Sequence, residues 1–112
     1  MINVYDQAHN LARAIKNSEE YRTYIKKREI VYANEKNKKM VEDFRGKVLE
    51  IQMDQLSGKK VKQEEMEKLQ KLEDVLMLNP AIKEFFAAEL RFSQLVQDVN
   101  NIIGEVINIE KD

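Results

Sequence analysis

His9 is the single histidine of the chain, and Asp6 stands three residues before it, so on a helix the imidazole and a carboxylate share one side. Carboxylate-bridged di-metal bundles take a Glu-x-x-His unit from each of two helices plus two further glutamates. One histidine cannot complete that set, so His9 is read as a surface or helix-flanking residue and no metal is assigned. Glu64, Glu65, Glu67, Glu73 and Asp74 interleave with Lys68 and Lys71, a pattern that offsets charge along a solvated helix face. Acid–base chemistry needs a pocket that tunes a carboxyl group, and no spacing here indicates one. No P-loop, nucleotide-binding glycine motif, His-Glu-x-x-His or nucleophile elbow is present. No catalytic and no cofactor-binding residue is therefore assigned, and the chain is expected not to be an enzyme.

Basic residues gather at Arg22, Lys26, Lys27, Arg28, Lys36, Lys38 and Lys39, with a second cluster at Lys59, Lys60 and Lys62. Tyr24 and Tyr32 lie near the first cluster, so the region has the residues to hold RNA or DNA by phosphate contacts and stacking. In that alternative reading, an accessory RNA-binding protein, Lys26, Lys27, Lys38 and Lys39 carry the contact. Against it, 19 basic and 20 acidic residues leave a net charge of −1, and Glu29 and Glu35 stand inside the basic stretch. Such a balance favours a mixed-charge, solvated surface over a dedicated polyanion binder.

Those side chains need elements to carry them. A length of 112 residues with 43% apolar residues fits one domain, residues 1–112, with a core of its own. There is no cysteine, which excludes disulfides, thiol catalysis and thiolate-bound metal, and is compatible with a reducing compartment. Met1 to Ala14 holds Asp6, His9 and Arg13 and no long apolar run, so it does not read as a signal peptide. No segment approaches the roughly 20 apolar residues that a membrane span needs. One proline and three glycines amid abundant Glu, Lys, Leu and Ala predict an all-α chain.

The periodicity places five helices. The first covers about Val4 to Lys16, with Val4, Ala8, Leu11 and Ile15 on one face. Ser18, followed by Glu19 and Glu20, reads as a fresh N-cap for a second helix to about Ala33. Its stripe is Tyr21, Tyr24, Ile25, Arg28, Val31 and Tyr32, and tyrosines there predict a boundary dry at the ring and wet at the hydroxyl. Asn34 is a break or a kink before a third helix to about Leu56, whose seam is Val41, Phe44, Val48 and Ile51. Leu49, Met53 and Leu56 form a second stripe on it. Ser57-Gly58 is the clearest turn, because glycine supplies a left-handed cap, and so short a turn makes the third and fourth helices antiparallel neighbours. The fourth helix, about Lys62 to Leu78, lacks a good capping side chain.

Asn79-Pro80 opens the last helix, either at a tight corner or at a bend in one longer rod. From there Phe85, Ala88, Phe92, Leu95, Val99, Ile102, Val106 and Ile109 recur at alternating steps of three and four, a heptad seam that Ile82, Val96 and Ile103 widen. Such a helix is about 45 Å long, whereas a compact chain of this size has a radius of gyration near 13 Å. The expected fold is an elongated antiparallel helical bundle in which the overhanging rod meets a second copy. Phe86, Leu90 and Ile107 fall on the side of the rod that should be wet, and they are the candidate interface, with the seam from Phe85 to Val106 as core. The alternative is that another helix of the same chain covers Phe86 and Leu90. Arg28 lies in an apolar stripe and Glu89 beside the seam, so the two are expected to meet as a buried ion pair, within a chain or across an interface. Otherwise Arg28 snorkels.

Val4-Tyr5-Asp6-Gln7-Ala8-His9-Asn10-Leu11-Ala12-Arg13-Ala14-Ile15, then Ser18 and Glu20-Tyr21, resembles the start of the small bacterial YheA/YmcA/YlbF proteins. So does Asn79-Pro80-x-Ile82, Ala88-Glu89-x-Arg91-Phe92, Leu95, Asp98-Val99 and Ile102-Ile103 near the end. The likeness covers nearly the whole chain and is closest to the YheA-like branch. It implies an all-helical cytoplasmic protein that self-associates as a homodimer or a higher multiple, and that meets other helical regulatory proteins. It further implies a regulatory role in competence, sporulation or biofilm formation, which relatives exert within a complex acting on an RNA-processing endoribonuclease. Relatives are also associated with cysteine-bound iron–sulfur clusters. This chain has no cysteine, so that cofactor does not transfer through such ligands.

Overall fold

The computed structural model describes residues 3–108. Five helices follow one another: α1 (Val4–Lys16), α2 (Glu19–Tyr32), α3 (Glu35–Leu56), α4 (Gln63–Met77) and α5 (Pro80–Ile107). The expected all-α architecture is what the chain adopts, and the last position of the expected seam, Ile109, lies outside the described residues.

Each boundary has a local cause. Asn3 Oδ1 accepts from the backbone N–H groups of Tyr5 and Asp6 and starts α1. Ser18 Oγ accepts from Tyr21 N at 3.2 Å and starts α2, while Asn34 Oδ1 accepts from Asn37 N at 3.0 Å and starts α3. Asn79 Oδ1 accepts from Ala81 N and Ile82 N, with Pro80 at the first helical position. Each satisfies donors that a helix start leaves without a partner. Asn34 and Asn79 both take extended backbone angles, so each separates two distinct helices and neither is a kink in one rod. Lys62 begins α4 without a side-chain cap.

Gly58 ends α3 at φ 84°. Lys59 N donates to Asp54 O at 2.9 Å and Gly58 N to Gln55 O at 3.2 Å, the paired bonds of a Schellman cap. The turn reverses the chain, and α4 packs back on α3.

α2 and α5 share the longest contact of the fold and run antiparallel: Tyr21 meets Phe92, and Tyr32 meets Phe85. α3 starts beside α5 and runs with it, because Asn37 faces Asn79, Phe44 faces Phe86 and Arg45 faces Glu89. The end of α2, the starts of α3 and α5 and the end of α4 therefore gather in one place. There Val31, Val41, Leu76, Ile82 and Phe85 form the buried core, with Tyr24, Tyr32, Met40, Phe44, Leu72 and Phe86 packed around it. Asn79 Nδ2 donates to Asn37 Oδ1 at 2.9 Å, linking the two helix starts directly.

The molecule is a flattened slab with extents of 57 × 37 × 17 Å and a radius of gyration of 18.4 Å. A compact chain of this length has about 13 Å. Burial explains the excess. Among the described residues, complete burial is confined to this helix junction, Ile51 and Ala88 are buried outside that cluster, and α1 buries none of its residues. No described helix is long and apolar enough to cross a membrane.

Candidate functional site

The seam of α5 is covered wholly or in part as far as Val99 and uncovered beyond it. Phe85 and Ala88 are buried, and Phe92, Leu95 and Val99 are half-buried. Beyond Val99 the same seam is open: Ile102 is 64% exposed and Val106 84%. Ile103 and Ile107 stand exposed beside them. The core expected from Phe85 to Val106 is thus present at one end of the seam only. The reason is topological: α2 begins at Glu19, near Phe92, and among the described residues nothing buries the seam beyond Val99.

α1 is the second open surface. Val4, Tyr5 and Leu11 are exposed, and of its apolar stripe only Ile15 is half-buried. A helix whose apolar stripe faces water gains little from packing, and an α-helix of this length owes most of its stability to such packing.

Covered aromatic side chains hold the first half of α5 in place. Tyr24 stacks between Phe85 at 5.9 Å and Phe92 at 5.4 Å, with ring planes within 16° of parallel. Tyr21 leans on Phe92 at 5.1 Å and Tyr32 meets Phe85 edge-on at 6.1 Å. All three tyrosines are half-buried, which places apolar rings against α5 and hydroxyls towards water.

The candidate interface residues divide. Leu90 is 71% exposed and Ile107 is 67% exposed. Phe86 is not part of an open face. Its ring lies 6.1 Å from Phe44 of α3 and 5.7 Å from Phe85, and the Arg45 guanidinium sits 5.5 Å above it. The helical wheel of α5 alone marks this side as wet, but α3 occupies it.

Arg28 and Glu89 are not paired with each other in the chain, and neither is buried. Arg45 Nη2 takes both Glu89 carboxylate oxygens, at 2.7 and 2.8 Å. Arg28 lies 4.3 Å from the ring centre of Tyr32 on its own helix, a cation–π contact in which the head stays exposed. The physical reason is again which helix faces which: α3, not the far side of α2, brings a cation to Glu89. Periodicity carries no signal for Arg45, because it sits beside the α3 seam as an ordinary polar residue.

Of the four lysines singled out, three face a carboxylate. Lys27 Nζ is 3.0 Å from Glu84 Oε2, Lys39 Nζ is 3.2 Å from Asp43 Oδ2, and Lys38 Nζ is 4.0 Å from Glu42 Oε1. Lys26 is exposed beside Glu29, Arg22 and Tyr21. These pairs leave a surface of alternating sign, where phosphate contacts need a field of one sign.

Concave features are shallow. The groove between α3 and α4, of about 240 Å³, is lined by Ile51, Leu69 and Leu72 with Lys47, Glu50, Glu65 and Lys68 at its edges. Among the described residues no polar or charged residue is buried, so no carboxylate sits in the dry surroundings that acid–base chemistry requires. His9 is exposed on α1, and among the described residues no three His, Asp or Glu side chains gather as a metal site. Without cysteine, a thiolate-held iron–sulfur cluster has no ligands in this chain.

A family described as control of competence regulator ComK, YlbF/YmcA, matches residues 4–108. A UPF0342 protein of Desulfitobacterium hafniense strain Y51 is 42% identical over 106 residues, covering 95% of this chain and 86% of that protein. Another, from Caldicellulosiruptor saccharolyticus, is 35% identical over 112 residues, covering 100% and 93% of the two chains. Among solved structures, YheA from Bacillus subtilis superposes with a TM-score of 0.68 at 28% identity, covering 96% of this chain and 97% of that one. A protein of unknown function (DUF964) from Bacillus stearothermophilus superposes with a TM-score of 0.85 at 23% identity, covering 94% and 92%, a likeness of fold. The helix order, the Asn79-Pro80 start of α5 and the match over nearly the entire length together make this chain a member of the YlbF/YmcA family, which is linked to control of the competence regulator ComK.

Proposed function

We propose that this chain is a non-catalytic regulatory module of the bacterial cytoplasm, a single unit that acts by associating with itself. The observation that carries the reading is the open end of the α5 seam, where Ile102 and Val106 are 64% and 84% exposed while the same heptad positions nearer Asn79 are buried. A seam with unbroken spacing whose last turns face water is the pattern of a helix that meets another helix from outside. Three exposed isoleucines and one exposed valine within two turns, Ile102, Ile103, Val106 and Ile107, are more than the scattered apolar residues a monomer ordinarily shows. The family's link to the competence regulator supports regulation as the setting, and sporulation and biofilm formation are further outputs by resemblance. Other helical regulatory proteins are partners in the same sense.

Sedimentation across a concentration series tests self-association. A dimer or larger mass at micromolar concentration is expected, with Val106→Glu lowering that mass while the helical content stays unchanged. A monomer throughout overturns it. The regulatory part is tested by removing the gene from its host and following ComK-dependent transcription, and an unchanged response counts against it.

A further inference from the structure

We propose that α1 is an exchanged arm: in the self-associated form, α1 of each copy lies on the C-terminal half of α5 of a second copy, reciprocally. The inference rests on the self-association reading and adds which segment covers which face.

α1 has one apolar face, Val4, Ala8, Leu11 and Ile15, and it buries no residue in its own chain. It is nonetheless held at a fixed corner. Asn17 N donates to Arg13 O, Ser18 Oγ donates to Ile15 O at 2.6 Å, and the same Oγ accepts from Tyr21 N. Tyr21, in the first turn of α2, packs on Phe92, so α1 departs two to three turns short of the open end of α5. It makes its contact with α2 and leaves Ile102, Ile103, Val106 and Ile107 uncovered.

The two faces match in length and in charge. α1 rises about 20 Å over its 13 residues, and the end of α5 from Leu95 to Ile107, half-buried as far as Val99 and open beyond it, rises about the same. α1 carries Arg13 and Lys16 against one carboxylate, Asp6. From Ser93 to Asn108 the only charged side chains are Asp98 and Glu105. None of these five charges makes an ion pair among the described residues. A net-positive arm therefore meets a net-negative tail, both apolar along one face. Because every copy supplies one arm and one tail, a two-fold pair satisfies both faces of both chains and closes without leaving a face to propagate.

The absence of cysteine permits a clean test. Chains bearing Ala8→Cys or Leu11→Cys are mixed with size-tagged chains bearing Ile102→Cys, Ile103→Cys or Val106→Cys, and the mixtures are oxidised. A covalent species combining the tagged and untagged sizes is expected for at least one pairing. Leu11→Glu in the unmodified chain should weaken the dimer by about tenfold or more, since it sets a charge in a face that burial would dry. If sedimentation shows a dimer but no pairing gives the mixed covalent species, arm exchange is overturned and self-association stands. If a chain carrying both Leu11→Cys and Ile103→Cys closes on itself at monomer size, the arm serves its own tail and exchange is likewise overturned. A monomer by sedimentation overturns both readings.

Discussion

Arg45 on α3 and Glu89 on α5 form the one ion pair between these helices among the described residues, with Arg45 Nη2 at 2.7 and 2.8 Å from the two carboxylate oxygens. The guanidinium also lies 5.2 and 5.5 Å from the ring centres of Phe85 and Phe86. Both partners are partly solvated, so water and salt weaken the pair. A double-mutant cycle with Arg45→Ala and Glu89→Ala should give a coupling of roughly 0.5–1 kcal/mol in urea unfolding. Arg45→Lys should recover only part of it, since an ammonium lacks the planar face that lies over the rings. A coupling indistinguishable from zero would show that the contact contributes nothing measurable.

Tyr24 is held between Phe85 and Phe92, and among the described residues its hydroxyl has no protein partner. Tyr24→Phe should therefore shift stability by less than about 0.5 kcal/mol. Tyr24→Ala removes both stacks and leaves a gap beside the core, and a half-buried ring of this kind should cost about 2–3 kcal/mol. Thermal or urea unfolding of the two variants checks the contrast.

Gly58 adopts φ 84°, and an added Cβ there would meet nothing within 4 Å. The penalty for Gly58→Ala is thus backbone strain alone, about 1 kcal/mol of destabilisation. Gly46 sits inside α3 in equally open space. Gly46→Ala should instead stabilise by about 0.5–1 kcal/mol. Opposite signs in one unfolding assay are the expected outcome.

Lys27, Lys38 and Lys39 each lie beside a carboxylate. A filter-binding assay should accordingly show no RNA retention even at low salt. Retention that falls steeply with salt, and disappears when Lys26, Lys27, Lys38 and Lys39 are replaced by glutamate, would instead support the nucleic-acid reading.

Much of the architecture is legible in the residues. Ser18 and Asn79 mark helix starts because a short polar side chain can accept from the first free N–H groups, Asn34 marks a break or a kink before α3, and Gly58 marks the α3–α4 turn because it tolerates a positive φ. Periodicity likewise identifies the α5 seam. What it leaves out is the choice of neighbour. Phe86 looks solvent-facing on its own helical wheel because nothing local reports that Phe44 will face it. Glu89 pairs with Arg45 and not Arg28 for the same reason, since a stripe gives a face but not the helix opposite. The half-open seam is a third case: Ile102 and Val106 have the spacing of core residues whether or not the chain supplies a cover.

The junction where Asn37 and Asn79 meet has a mechanical consequence. Four helix ends share that point, so it is the geometric pivot about which a change of packing would turn the helices that leave it. α5 extends about 42 Å from its start, so a rotation of about 5° at the pivot displaces its tip by about 4 Å. Repacking a single side chain among Val31, Leu76 and Ile82 would therefore be magnified at Val106, far from the change itself.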